Sequence, residues 1–334
     1  MCRTPPGVWS PRDDALLRSV VERLAVIPRL PTSDGERRAA HIIRDDLLQS
    51  GCQANVEDVP AYSSYAWPVG LMCAASVAAG WAAGRGHRLL GAVGAGLGAA
   101  GIADDISGGR MAVRRLFLRS RRAHNVIGLT GDITATQTLV VLAHHDAAPS
   151  GFVFHQHAQQ WLARNRPDLV EAMASNPPLW WLVIAGPALV SLASATGRNG
   201  PRRAGLVLSL GSLAAMVDIG LRPAVPGAND NLTGVAVLIA LARALQREPV
   251  RGLRVMLVSA GAEEALQEGI RGFARRHEPR VKLGADPSDT RFWGSDDDTK
   301  DCRILDPYLR NLGGSYAGVT TSFLGRTRCA HDSS

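Results

Sequence analysis

Apolar residues fall in two kinds of run along this chain. Some recur at helical spacing among polar ones, and others fill whole stretches without a charge. Residues 13–26 are of the first kind. Leu16, Leu17, Val20, Val21, Leu24 and Ala25 form one stripe, which predicts an amphipathic helix stopped by Pro28 and Pro31. Ser33 and Glu36 have the spacing of a capping box, so a second helix is expected to run to Ser50 and close at Gly51. Residues 52–59 predict a short strand. Residues 66–84 are of the second kind, flanked by Tyr65 and carrying Trp67 and Trp81 near their ends. At about 1.5 Å per residue, such a helix nearly spans the hydrocarbon layer of a bilayer.

A basic link (Arg85, His87, Arg88) leads to residues 89–103, rich in Gly and Ala, which read as the return arm of a membrane hairpin. Residues 110–122 hold six arginines (110, 114, 115, 119, 121, 122) around Met111, Val113, Leu116, Phe117 and Leu118. This stretch reads either as a face lying along an anionic membrane or as a solvated basic helix. Residues 125–129 predict a strand closed by Gly131-Asp132. Residues 138–143 predict an unbroken apolar strand of the kind found mid-sheet among parallel neighbours. Residues 152–173 are expected to be mostly helical. A second hairpin is expected from 179–195, opened by Trp180-Trp181 and interrupted by Pro187, and from 204–217, with Arg198, Arg202 and Arg203 in the link. Asp218 then caps or lies at an interface. Residues 232–245 predict a core helix, 254–260 a buried strand and 268–277 a helix. From about residue 280 no buried strand or long amphipathic helix is evident, and Asp296-Asp297-Asp298 form an acidic knot. A poorly ordered tail is expected there.

Composition sharpens this picture in three ways. Hydrophobic residues make up 46% of 334 and concentrate in the two hairpins. The net charge of +7 then reads as a basic collar beside a membrane, not as a nucleic-acid surface. Five cysteines without a C-x-x-C argue against a disulfide scaffold or a thiolate zinc site. The first ten residues lack a signal-peptide pattern. The expectation is a multi-pass cell-membrane protein whose globular part is cytoplasmic, although arginines in the hairpin links (Arg85, Arg88, Arg198, Arg202, Arg203) compete with those on the globular side (Arg110, Arg114, Arg115, Arg119, Arg222). The spans carry no paired ionisable residues, which argues against a transporter.

Candidate chemistry sits in three separated stretches: Ala143-His144-His145-Asp146, Pro226 to Gly234, and Gly261-Ala262-Glu263-Glu264. The first and third follow buried strands, where ligands gather in open α/β sheets. One imidazole and several carboxylates suit zinc first. Asp230, at a helix entrance, can bridge two ions or serve as an N-cap. His144 can bind one ion, with Asp146 holding its other ring N–H. Glu264 suits a ligand, and Glu263 a general base for the attacking water. His145, His155, His157 and His277 read as surface or loop histidines.

At these residues the chain resembles the aminopeptidase Y-type di-zinc metallopeptidases of peptidase clan MH, over roughly residues 11–60, 122–146 and 225–278. The resemblance implies a three-layer α/β/α sandwich of phosphorylase/hydrolase-like type, here interrupted by two transmembrane helical hairpins. It implies His144 on the first zinc, Asp230 bridging, Glu264 on the second zinc and Glu263 as base. The peptidase-like domain would comprise residues 1–60, 110–176 and 221–280. The hairpin insertions are 61–109 and 177–220, and 281–334 is an atypical tail. The family also needs a later Asp and a later His. Asp296 falls where the Asp is expected, but without a strand before it, and His331 is a poor substitute for the His. The expectation is a truncated or frame-altered end and an incomplete second zinc site, so that this chain binds metal weakly and is nearly inactive while a full-length relative is a competent peptidase. The implied function is a membrane-anchored aminopeptidase-type exopeptidase with a peptide substrate and a lipid bilayer as partners. The alternative is a catalytically defective membrane scaffold or binding protein derived from the same family.

Overall fold

The structure, a computed structural model, describes residues 11–155, 157–166 and 180–282. Of the expected tail 281–334, residues 281 and 282 end a helix, and 283–334, with Asp296 and His331, lie outside the described residues, as do residues 167–179.

Helix α1 (Pro11–Ala25) lays Val20 and Leu24 into a core. Helix α2 (Asp34–Gln49) starts at Ser33, whose Oγ accepts from Glu36 N at 3.2 Å. The Glu36 carboxylate accepts from Thr32 N and, at 2.8 Å, from His124 N. A capping residue thus also ties α2 to the sheet, with its side chain wholly buried.

The sheet has four strands among the described residues, in the order β1-β2-β4-β3. They are β1 (Gln53–Ala61), β2 (Arg121–Gly131), β3 (Gln137–His144) and β4 (Leu253–Ala260). β1–β2 and β2–β4 are antiparallel, and β4–β3 is parallel. Residues 138–143 therefore lie on an edge strand of the described sheet, not mid-sheet. Their apolar run reflects helices covering both faces. Alternate residues make the two faces. Val126, Ala143, Val255 and Leu257 join α1, α2 and helix α9 (Thr233–Arg247). Ile127, Val140, Val258 and Ala260 join Ile270 and Phe273 of helix α10 (Glu268–Lys282).

Four apolar helices form a separate bundle: α3 (Ala66–Gly84), α4 (Arg88–Ile106), α7 (Trp180–Thr196) and α8 (Asn199–Leu221). They pack as a closed ring, α3 on α4, α4 on α7, α7 on α8 and α8 on α3. Three of them are long and apolar enough to cross a membrane, and α7 is a shorter apolar helix. Small residues set the seams. A Cβ on Gly98 would meet Ser76 Oγ at 2.2 Å, and one on Gly205 would meet the Gly186 carbonyl at 2.8 Å. Outward, Trp81, Leu89, Leu97, Trp181, Leu192 and Val207 are each at least 60% exposed. One end of the bundle meets the α/β unit: Tyr65, Ile102, Ile106, Met216 and Ile219 share an apolar cluster with Leu266.

The basic stretch 110–122 is not one continuous helix, although Leu116, Phe117 and most of its arginines are exposed. Only Ala112–Phe117 is helical (α5), and Arg121 and Arg122 open β2. Arg114 is fully buried, because Asp105 and Glu268 wait for it inside. Phe152–Phe154 form one 3-10 turn before a short helix α6 (His157–Asn165). Asp218 caps that turn, accepting from Phe152 N at 2.7 Å and from Arg222 Nε at 2.8 Å.

Leu257 sits in β4 with no exposed surface and packs beneath α2 and α9. Leu257→Ala is expected to cost about 2–5 kcal/mol of stability, read from denaturation of the detergent-solubilised protein. A change under 1 kcal/mol would contradict this packing.

Candidate metal centre

β3 and β4 pair in a register that sets His144 opposite Ala260, so both strands end at one level. His145 N extends the pairing to Ala260 O at 3.0 Å. The loop after β4 carries Glu263 and Glu264. Ala262, Leu266 and Gln267 in it adopt positive φ (48°, 67° and 63°), which non-glycine residues keep only under tertiary constraint. Its backbone closes on itself, Gln267 N to Glu263 O at 2.7 Å and Glu268 N to Ala262 O at 3.1 Å. The Asn125 side chain brackets it, accepting from Gly261 N at 3.0 Å and donating to Gly269 O at 2.9 Å. Gly269 has no room for a side chain, since a Cβ there would sit 1.8 Å from the Gly261 carbonyl oxygen.

Asp230 precedes α9, but it does not cap it. Asn231 Oδ1 accepts from Gly234 N at 3.1 Å instead. Asp230 is left free to face His144, with its side chain 58% exposed.

The structure brings five of the sequence candidates together. His144 Nε2 lies 3.1 Å from Asp230 Oδ1 and 3.8 Å from Glu263 Oε2. Asp146 Oδ2 accepts from Glu264 N at 2.9 Å. Its Oδ1 is 3.4 Å from His144 Nδ1, an electrostatic contact short of a formed hydrogen bond, and both atoms are buried without another partner. His144, Asp230 and Glu264 can each offer one ligand atom, all within 4.8 Å of one another. An imidazole with two carboxylates is a zinc donor set with room for a fourth ligand. The orphaned Nδ1–Oδ1 pair fits as well: a ring bound through Nε2 commonly donates its other N–H to a carboxylate.

Crowded acids make the site electrostatically tense. Burial, then the charges of Asp146 and Asp230, push Glu263 up to about 7 despite His144. Glu264 is held well above the usual carboxylate range by burial and then by Glu263. For His144, burial opposes protonation, but Glu263, Asp146 and Asp230 outweigh it and raise its pKa well above normal.

Its neighbour behaves oppositely. His145 is not a surface residue but fully buried, with Nδ1 2.9 Å from Ser259 Oγ, and burial drives its pKa down to about 3. His277 is buried too, with Nε2 2.9 Å from Glu57. His155 and His157 are exposed and stacked on each other.

Two supports escape sequence reasoning. Arg29 is fully buried and donates to four carbonyls: Leu24 (2.6 Å), Ile27 (2.9 Å), His145 (2.7 Å) and Pro226 (2.8 Å). It thus holds the His144 and Asp230 segments against the end of α1. The signal was present: Arg29 is the lone charge in an apolar run between Pro28 and Pro31. Glu36 is the second. Burial and then Asp146 raise its pKa to about 8.

Residues 213–285 match the family model described as Peptidase family M28. That span contains Asp230, Glu263 and Glu264 but not His144, which the fold delivers from outside it. No curated protein matches the chain. Among solved structures, it is similar to a Zn-dependent exopeptidase from Parabacteroides distasonis, at 13% identity over 77% of this chain and 49% of that one (TM-score 0.36). A glutaminyl cyclase from Fimbriiglobus ruber aligns at 14% identity over 85% and 59% (TM-score 0.41). An aminopeptidase from Aneurinibacillus sp. strain AM-1 aligns at 12% over 83% and 68% (TM-score 0.38). The chain spans about half the length of that exopeptidase. At these values the likeness bears on neither substrate nor ligand set.

The raised groups give pH a definite sign. Glu36, Glu263, Glu264 and His144 all hold protons more tightly folded than unfolded, so the stability they supply is lost as pH rises through their folded values. The depressed His145 acts only below its unfolded value near 6.5, outside this window. Metal-free protein is expected to melt at progressively lower temperature from pH 6.5 to 8. Zinc, which needs the deprotonated groups, should bind more tightly over the same range and release protons at pH 7. Calorimetry in buffers of different ionisation enthalpy measures that release, and no release would contradict the assignment.

Proposed function

We propose that the chain is a membrane-anchored zinc-dependent exopeptidase of the aminopeptidase type. The observation that carries this reading is the convergence of His144, Asp230 and Glu264 on one point with Glu263 beside it. The similarity of residues 213–285 to a peptidase family supports the same chemistry. His144, Asp230 and Glu264 would hold the metal. Asp146 would orient the His144 ring through Nδ1. Bound zinc would supply polarisation of the scissile carbonyl and a lowered pKa for water. Glu263 would take the proton from the attacking water at a carboxylate oxygen and pass it to the departing amine. A carboxyl group near pKa 7 suits both acts, because it exchanges a proton readily at neutral pH.

Three protein ligands support one well-held ion. Asp296 is our candidate for a fourth ligand, the third acidic one, to a second ion, whose site would be incomplete. The α/β unit, with helices on both sheet faces, supports a peptidase-like three-layer sandwich built from residues 1–60, 110–176 and 221–280. The apolar exterior of the bundle supports membrane insertion of the two hairpins, and we place the α/β unit on the cytoplasmic side from the basic stretch 110–122. Cysteine-accessibility labelling at the two link turns, near residues 86 and 198, tests that orientation. The links should be protected from cytoplasmic reagents.

Purified protein in detergent is expected to hold one zinc ion tightly and to hydrolyse aminoacyl anilides. Glu263→Gln should lower kcat by about a hundredfold to ten-thousandfold with zinc retained, whereas Asp230→Asn and Glu264→Gln should lose the metal. Tight zinc without any hydrolysis would overturn the enzyme reading and leave a catalytically defective scaffold.

A further inference from the structure

The loop carrying Glu263 and Glu264 is gripped from two sides. On the sheet side, Asp146 accepts from Glu264 N. On the other side stands Arg114, outside every element of the metal centre. Its guanidinium forks onto Asp105 at the end of α4, with Nε to Oδ1 at 3.0 Å and Nη2 to Oδ2 at 2.7 Å. Its remaining nitrogen, Nη1, donates to the Ala265 carbonyl at 2.8 Å and to Glu268 Oε1 at 3.3 Å. The three side chains are 0%, 1% and 3% exposed. Two further contacts join the same elements: Arg271 Nη1 donates to Gly108 O at 2.8 Å, and Leu266 packs with Ile102 and Ile106.

A buried ion cluster is a poor source of stability, because desolvation offsets most of the attraction, but it fixes geometry well. Geometry is what this loop needs. Three non-glycine residues at positive φ lie within six positions of it, and such a backbone relaxes unless its surroundings hold it.

We propose that Arg114 is a positioning residue for the metal-binding loop, through which the end of the first apolar hairpin holds Glu263 and Glu264 against His144. This rests on the metal reading above. A lysine cannot take over. It offers a point charge where Arg114 makes a planar fork onto one carboxylate and reaches a carbonyl beyond it.

The test uses the full chain in lipid nanodiscs: wild type, Arg114→Lys, Arg114→Met, and Arg23→Met as a control. Arg23 pairs with Asp46, away from this loop. Two quantities are read, Zn²⁺ affinity by chelator competition and hydrogen exchange of the amides in residues 261–268. Arg114→Lys should keep the β3–β4 amides protected while those of Glu264, Gln267 and Glu268 exchange faster. Its zinc affinity should fall by about 10–100-fold, and the control should change neither. Wild-type affinity and loop protection in Arg114→Lys would overturn the proposal. So would equal loss of protection in the sheet and the loop, which would make Arg114 a general core residue. Should Arg114→Met fail to fold, Arg114→Lys decides alone. If the wild type binds no zinc, the metal reading falls, and the exchange measurement still decides whether Arg114 holds the loop.

Discussion

Everything at this site depends on the parallel pairing of β3 with β4, and on its register. His144 stands opposite Ala260, so an imidazole leaves one strand where two glutamates leave the other. A slip of one residue would exchange His144 with His145, because successive side chains take opposite faces. The two histidines show how much that exchange would matter. One faces four carboxylates and is driven toward the charged form. The other is enclosed against Ser259 and kept neutral. Parallel strands require a long crossover, and here it passes through the second apolar hairpin and α9 before β4 begins. The hairpin adds length to the connection without moving either strand end.

The elements with strong local signals were legible in the sequence. Ser33 and Gly51 bracket α2 because a hydroxyl cap and a left-handed glycine leave plain marks. The uncharged run 66–84 became a helix of the same bounds. The strands 125–129 and 254–260 appear inside β2 and β4, each a residue or more longer in the structure. Candidate site residues could be chosen because each sits at the end of such an element. What stayed hidden was tertiary. Burial of Arg114 depends on Asp105 and Glu268, and no local pattern pairs residues that far apart. Arginine-rich composition predicts a surface, which gives no warning that Arg114 lies in the core or that Arg121 and Arg122 begin a strand. The burial of His145 is hidden for the same reason: its enclosure comes from Ser259 across the sheet, and the edge position of β3 in the described sheet comes from a topology that hydropathy does not encode.

Charge, not packing, keeps the centre of the α/β unit from being an ordinary core. Asp146, Asp230, Glu263 and Glu264 are gathered around one histidine with Glu36 behind Asp146, and burial works against the ionised form of Glu36, Glu263 and Glu264. Polar supports hold this arrangement from outside. Arg29 spends its donors on carbonyls of three chain segments, and Asn125 clasps both ends of the glutamate loop. Removing a support would therefore act on geometry first, since the ligating atoms themselves would remain.

The glycine and serine seams of the four-helix bundle have a consequence for what that unit can carry. Where Gly98 meets Ser76 and Gly205 meets Gly186, the backbones lie as near as their own atoms permit. A file of water or ions needs a lumen, and these contacts leave none along those two seams. Along those two seams the unit can brace what stands on it, but it offers no conduit there.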